Sequence, residues 1–416
     1  MSTPSRGPGR ESVDDASSHE GQSGALPGGH ALPLRFASAS ASAPSVRKRR
    51  PGLVWGVVGA IAVIVTITTL QLTANGSYDA AEEQFREVAH TTSATRLTLD
   101  EANTELRDTE GSAVLLLESD TGILVDPAAK ESLTAAVATA GDATSSADAL
   151  LAEPVPVIGE KPTWFWELYT GAGSLDEDRQ RVERLDRQLQ DEVETIGTAG
   201  NTLTESGVAL LTTTASAAGA HESAHVSARN DDIIALREAA ATASAIATID
   251  DDAVTAFRAL QATAAQLIAS EDAELAEKSG PLLGARLEIE EFARSLAPGV
   301  LLDFDWAPIV NGVGYNGSMG GYTTWWWDDP GRATIELSNS VAEQWPADRS
   351  KALVVHEVGH AISVKCADMY DASTQDSIEK WATAWAISMG YTDDANGVWA
   401  YGYPPQNYID AAAGCR

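Results

Sequence analysis

The sequence predicts a small α+β domain at the C-terminus, preceded by a mostly α-helical bundle or stalk and a single transmembrane helix. Three observations predict it. An uncharged apolar run of 20 residues lies near the N-terminus; a long middle region spaces its apolar residues as helices do; and eight of the 11 Trp residues, with both Cys residues, fall after position 300. The compositional shift sits near Gly280-Pro281. The expected division is therefore a disordered cytoplasmic tail over 1–50, a transmembrane helix over 51–74, a helical extracytoplasmic region over 75–280 and a C-terminal domain over 281–416.

The apolar run is Leu53 to Leu72, LVWGVVGAIAVIVTITTLQL. As a helix rising about 1.5 Å per residue it covers roughly 30 Å of hydrocarbon, enough to cross a bilayer. Arg47-Lys48-Arg49-Arg50 precedes it and no basic residue follows until Arg86. That asymmetry puts the N-terminus in the cytoplasm and the rest of the chain outside, in a single-pass cell-membrane topology. A cleaved signal peptide is the alternative, but both the leader and the apolar run are too long for one. The first 46 residues, rich in Ser, Gly, Ala and Pro, have little to bury.

Charge follows this division. Residues 1–50 carry seven basic and four acidic side chains, a net of +3; the remainder carries 21 basic and 56 acidic, a net of −35; together they give −32. Such a surface repels phosphate backbones, so nucleic acid is not an expected partner. Cys366 and Cys415 lie on the oxidising side and are expected to pair, a free or metal-binding thiol being the other reading.

In the middle region, Val182, Leu185, Leu189, Val193 and Ile196 recur at three- and four-residue intervals and mark one helix face. Asp126-Pro127 is expected to end one segment. Pro154 to Gly173 interrupts the pattern with Trp164 and Trp166, a loop expected at a tip or against a neighbour. Gly, Thr and Ser at seam positions exclude a long parallel coiled coil. A spacer, a sensor and a partner-binding surface all fit this region.

Two stretches match the H-E-x-x-H pattern, in which two histidines one helical turn apart share a metal ion and the Glu between them serves as a base. His221-Glu222-Ser223-Ala224-His225 follows TTTASAAGA and precedes VSARNDD. No strong apolar face docks it, so its histidines are expected to be incidental and exposed. His356-Glu357-Val358-Gly359-His360 is flanked by Ala352-Leu353-Val354-Val355 and by Ala361, Ile362 and Val364, which predict a buried helix. Gly359 costs about 1 kcal/mol of helix propensity and gives another element room to approach.

His356 and His360 are the only histidines after position 300, so the third ligand is expected to be a carboxylate or, failing that, Cys366. STQDSIEKWATAWAISMGY predicts the next helix, opened by Ser373 and Asp376 in capping-box spacing. Glu379 lies on it 19 residues after His360, with small Ala382 and Ala386 on its face. Asp376 and the pair Asp393-Asp394 compete with it.

HEVGH followed by EKWATAWA resembles the gluzincin metallopeptidases, over roughly the last 120 residues. The resemblance implies an α+β zincin-like domain, zinc held by His356, His360 and Glu379, and Glu357 as general base for a bound water that attacks a peptide carbonyl. Many gluzincins carry an Asp four residues after the ligand Glu to orient an active-site His; Thr383 stands there, a weaker partner.

GGYTTWWWDDPGRATIELSNS predicts a β-hairpin with strands near Tyr322–Trp327 and Ala333–Ser338 and a turn at Asp328 to Gly331. By the same resemblance, Thr334 to Leu337 is the edge strand that receives a peptide. Trp325, Trp326 and Trp327 suit a cleft or a core equally. Tyr391, Tyr401, Tyr403 and Tyr408 are candidate donors to an oxyanion.

The expected function is a membrane-anchored extracytoplasmic zinc metallopeptidase acting on a peptide or protein. The alternative is a non-catalytic cell-envelope binding or scaffold protein that works through its helical region and carries a silent metal-binding remnant. A hydrolase of another envelope amide would share the metal chemistry. Oligomeric state is not legible.

Overall fold

The computed structural model describes residues 51–313 and 319–416; the expected cytoplasmic tail and its basic cluster lie outside the described residues. Contacts divide the chain into two units, the first ending at Ile67 and the second running Thr68–Arg416.

Helix α1, Pro51–Glu118, contains the apolar run. Val57, Ile61 and Val63 are exposed on it, as side chains suited to lipid rather than to a protein core are. Among the described residues it is the one helix long and apolar enough to cross a membrane.

The second unit begins with a helical array: the rest of α1, then α2 (Pro127–Leu151), α3 (Phe165–Ala224), α4 (Asn230–Ser244) and α5 (Asp251–Glu277). Asp126 does not end a helix as expected. Its side chain accepts a hydrogen bond from the Ala128 N–H with Pro127 in the first turn, so it starts α2, and α1 has already stopped at Glu118. Asp250 caps α5 in the same way through the Ala253 N–H. Val182, Leu185, Leu189 and Ile196 are buried along one face of α3, as their spacing requires. One core joins Leu99, Leu133, Leu189, Leu236 and Phe257 from the five helices, and a smaller one joins Tyr78 and Phe85 of α1 to Leu168 and Leu175 of α3.

A small α+β region follows: α6 (Leu283–Leu296), β1 (Leu301–Ala307), β2 (Gly321–Trp326), β3 (Asp329–Ser338), α7 (Asn339–Glu343), α8 (Asp348–Ser363), α9 (Gln375–Ser388), α10 (Val398–Tyr401) and α11 (Gln406–Ala412). Its own core packs Phe304, Ile335, Val358, Trp381 and Trp385. The strand order is β1-β3-β2, with β1 parallel and β2 antiparallel to β3, and a bulge at Trp325/Trp326. The hairpin is present, but its turn is tighter than expected because β3 resumes at Asp329. One expectation is corrected. Thr334 to Leu337 lies in the central strand, hydrogen-bonded on both sides, because β1 takes its outer edge; the edge strand facing the cleft is β2.

The helical array meets the sheet at the start of α4. The buried Asn230 amide donates to the carbonyls of Leu301 (3.2 Å) and Ala333 (3.1 Å), and its backbone N–H donates to Asp303 (2.8 Å). Beside it, Arg229 pairs with Glu274 (2.6 Å) and Asp305 (3.0 Å). Lys278 reaches both Glu274 (3.2 Å) and Glu290 (3.1 Å), and the Trp306 indole donates to Glu290 (3.1 Å).

Cys366 and Cys415 form the expected disulfide, closing a loop with a sequence separation of 49. The loop-closure relation assigns such a loop about 4 kcal/mol. Reduction is therefore expected to lower the urea midpoint of the full chain, by up to that amount in unfolding free energy.

A second expectation concerns pH. Burial pushes the Asp303 carboxyl up from 3.8 to about 6, against the opposing pull of the Asn230 N–H and Arg229; Glu274 and Asp305 add to the rise. The folded chain thus holds this proton more tightly than the unfolded one. Its contribution is fully present below about pH 3.8 and is lost as pH rises through about 6. Asp303→Asn keeps an acceptor for Asn230 and should remove that decline, read as the difference between wild-type and variant denaturation curves across this window.

Candidate metal centre

Helix α8 carries His356, Glu357 and His360, all buried. Because i and i+4 lie on one face, the two imidazoles point the same way, with Nε2 atoms 3.2 Å apart. Helix α9 lies against α8 and brings Glu379 to them: its Oε2 is 3.3 Å from His356 Nε2 and 3.1 Å from His360 Nε2. Gly359 makes this approach possible. A Cβ built there would fall 2.9 Å from the Ala382 carbonyl oxygen and 3.1 Å from its Cα, so a larger residue at 359 would push α9 away. Ala382 and Ala386 are fully buried, while Trp381 and Trp385 fill the core on the other faces of α9.

The cap of α9 is one residue later than expected: Thr374 accepts from the Ser377 N–H (3.3 Å), and Ser373 instead bonds to Asp371. The competing ligands are placed elsewhere. Asp376 pairs with Lys380 (2.7 Å), Asp393 caps its own turn through the Ala395 N–H (3.0 Å), and Cys366 is in the disulfide. Among the described residues, His356, His360 and Glu379 form the group able to hold a metal ion.

The ligands are themselves held. Gln375, one turn before Glu379, donates to its Oε1 (2.8 Å), which leaves Oε2 to the histidines. Thr383 donates to the Glu379 carbonyl (2.8 Å), so its oxygen has lone pairs for the N–H of His356 Nδ1, 3.5 Å away. Gly397, at φ 106°, closes over this pair; a Cβ there would lie 2.2 Å from Thr383 Oγ1 and 2.7 Å from His356 Nδ1. The Trp325 ring stacks on His360 (centroids 5.2 Å apart, 4° between planes) and Tyr401 on His356 (5.9 Å, 12°).

Glu357 faces the same cleft from the other side. Thr323 of β2 donates to its Oε2 (2.8 Å), and Gly321 leaves it room, since a Cβ there would meet its Cγ at 2.6 Å. Burial raises the Glu357 carboxyl, while His356 and Thr323 pull it down. Burial would also raise Glu379, but hydrogen bonds from His356 and His360 hold it well below the usual carboxylate range. Burial and the two neighbouring carboxylates push the Tyr401 phenol up. The cleft has a volume of about 320 Å³ and is lined by β2 from Gly321 to Trp325, by the α8 and α9 side chains and by Tyr401.

Of the other candidate tyrosines, Tyr391 packs on Phe292, Tyr408 bonds to Ser377 (2.7 Å) and Tyr403 is exposed; Tyr401 is the one at the cleft. Of the Trp triplet, Trp325 lines the cleft, Trp326 lies under Arg332 and Trp327 packs edge-on against Trp325. Sequence reasoning missed Gln375, Thr323, Gly321 and Gly397. Only Gln375 had a signal, its i,i+4 spacing to Glu379.

His221 and His225 lie at the end of α3, and the reading of them as exposed on an undocked helix is corrected. Leu210, Leu211, Ala215 and Ala218 bury that stretch, His221 Nε2 meets the Ala264 carbonyl (3.1 Å) and His225 pairs with Glu271 (2.6 Å). Both rings are occupied in fastening α3 to α5.

Comparison of the chain with family models, with curated proteins and with solved structures finds no match.

Thr383→Val removes the acceptor for His356 Nδ1 at nearly constant volume. Loss of such an outer partner typically weakens metal binding about 10–100-fold. The expected result is a drop of that size in divalent-cation affinity, measured by competition with a chromophoric chelator, with little change in melting of the metal-free protein.

Proposed function

We propose that the chain is a membrane-anchored extracytoplasmic zinc metallopeptidase of the gluzincin kind, with Glu357 as general base. The observation that carries this reading is the convergence of His356 Nε2, His360 Nε2 and Glu379 Oε2 to within 3.1–3.3 Å of one another, beside a separate buried carboxylate. Tetrahedral ligands about 2.0–2.1 Å from zinc are themselves about 3.3 Å apart, so the donor set fits that ion in type and spacing. Two nitrogens and one carboxylate also leave a fourth position for chemistry, whereas structural zinc sites are closed.

Zinc bound there would polarise a carbonyl and lower the pKa of a water toward about 7. The chain's own groups supply the rest. Glu357, oriented by Thr323, accepts the proton of the attacking water and delivers it to the amine nitrogen as the C–N bond breaks. Tyr401, at the rim of the cleft, is positioned to donate to the oxygen on which negative charge develops. Among the described residues β2 is an edge strand along the same cleft, so an extended peptide can add to it through main-chain hydrogen bonds. The apolar run of α1 and the basic cluster before it support a cytoplasmic N-terminus and a C-terminal region outside.

Full-length protein loaded with zinc should cleave members of a fluorogenic peptide library. Glu357→Gln is expected to reduce turnover about 10²–10⁴-fold while one zinc per chain is retained. Equal activity in the variant would remove Glu357 as the base, and stoichiometric zinc without turnover on any peptide would favour the silent, scaffold reading.

A further inference from the structure

We propose that Trp164 and Trp166, at the N-terminal end of α3, sit in the headgroup region of the membrane that α1 crosses, as a second attachment point of the chain. This rests on the transmembrane reading of α1 and is independent of the peptidase reading. The two indoles stack with centroids 5.2 Å apart and 6° between planes, yet they are 54% and 52% exposed. Phe165 braces Trp166 edge-on at 5.0 Å. Tyr169, one turn further on, exposes its ring while its hydroxyl bonds to Thr73 (2.8 Å). Large, ordered, half-exposed aromatic faces of this kind mark a surface that contacts something other than water.

The contacts between α1 and α3 say what that is. Gln71 donates to the Thr163 carbonyl (2.9 Å), Thr73 meets Tyr169, Tyr78 packs on Gly171, and Thr95 donates to Asp186 (2.8 Å). Residue numbers rise together along both helices, so α3 runs parallel to α1 and starts where the apolar run ends. Trp166 lies three residues before Tyr169, about 4–5 Å nearer that run. It is therefore level with Leu70 and Leu72, which are themselves exposed. Lys161, just before α3, pairs with Asp79, which lies further along α1 from the apolar run. An apolar ring carrying one polar N–H suits the boundary between acyl chains and headgroups, where Trp and Tyr are enriched. A helix crossing the bilayer is free to rotate about its axis; a second contact at the interface fixes that rotation. From this end, the 60 residues of α3 lead, over about 90 Å, toward the α4 N-terminus that meets the sheet.

The test uses full-length, fluorotryptophan-labelled protein in phosphatidylethanolamine–phosphatidylglycerol nanodiscs, followed by fluorine NMR, with Trp55→Phe, Trp164→Phe and Trp166→Phe assigning three resonances. A nitroxide on the lipid headgroup is expected to abolish the Trp164 and Trp166 signals, and an aqueous gadolinium chelate to leave them. Trp55, near the start of the apolar run, reports the span separately. If Trp55 responds to the lipid nitroxide while Trp164 and Trp166 respond only to the chelate, the two rings face water and the proposal is overturned with the span intact. If the two signals survive both reagents, protein covers them, a second copy included, and the proposal is again overturned. If Trp55 also ignores the lipid nitroxide, the span fails and the anchor falls with it.

Discussion

The close approach of α8 and α9 at Gly359 is the constraint on which the candidate site depends. A glutamate side chain is short, so Glu379 reaches both imidazoles only if the two helix backbones nearly touch. The Ala382 carbonyl and Cα stand where any side chain at 359 would have to go. Glycine within a helix costs about 1 kcal/mol, and here the cost is offset by packing that a larger residue would forbid. The contact is braced from behind. Trp381 and Trp385 are fully buried, and the Trp385 indole donates to the Cys415 carbonyl (2.9 Å), so the tail bonded to Cys366 holds α9 in place.

A second constraint joins the helical array to the sheet, and it is polar. Lys278 and Glu290 are almost wholly buried, which costs several kcal/mol per ion unless each is well paired. Each has more than one partner: Lys278 has two carboxylates, and Glu290 has Lys278, Arg294 and the Trp306 indole. An apolar contact of the same area would tolerate sliding. Directional bonds satisfied in one register do not, and the Asn230 amide adds two more to neighbouring strands β1 and β3. The sheet carries β2, and β2 carries Thr323 to Glu357, so this seam bears on the position of the proposed base.

How much of this was legible in the sequence depended on whether a local pattern carried the information. The i,i+4 histidines, the small-residue face beside Glu379, the apolar run and the paired cysteines are periodicities or counts, and the structure places these residues as the patterns suggested. The edge strand was misread because the alternation Leu302-Asp303-Phe304-Asp305-Trp306, which marks β1 as a strand, does not say which strand it pairs with, and it pairs with β3 from the other side. His221 and His225 were misread because the residues that bury them, Ala264 and Glu271, belong to α5, some 40 residues away in sequence. Gly397 and Thr323 act through contacts across the fold, and nothing adjacent to them in sequence signals such contacts.

Charge bears on why a hydroxyl suits position 383, behind His356. Glu379 and Glu357 place two carboxylates in one buried cleft, where low-dielectric surroundings strongly disfavour two negative charges. A divalent cation between His356, His360 and Glu379 would offset that negative charge. An aspartate at 383 would add another carboxylate behind His356, and among the described residues no Lys or Arg lines this cleft to balance it. A hydroxyl gives up part of the orienting strength of a carboxylate, which is where Gly397 enters: by pressing the loop onto Thr383 and His356, it supplies by packing some of the orientation that a charged partner would supply by attraction.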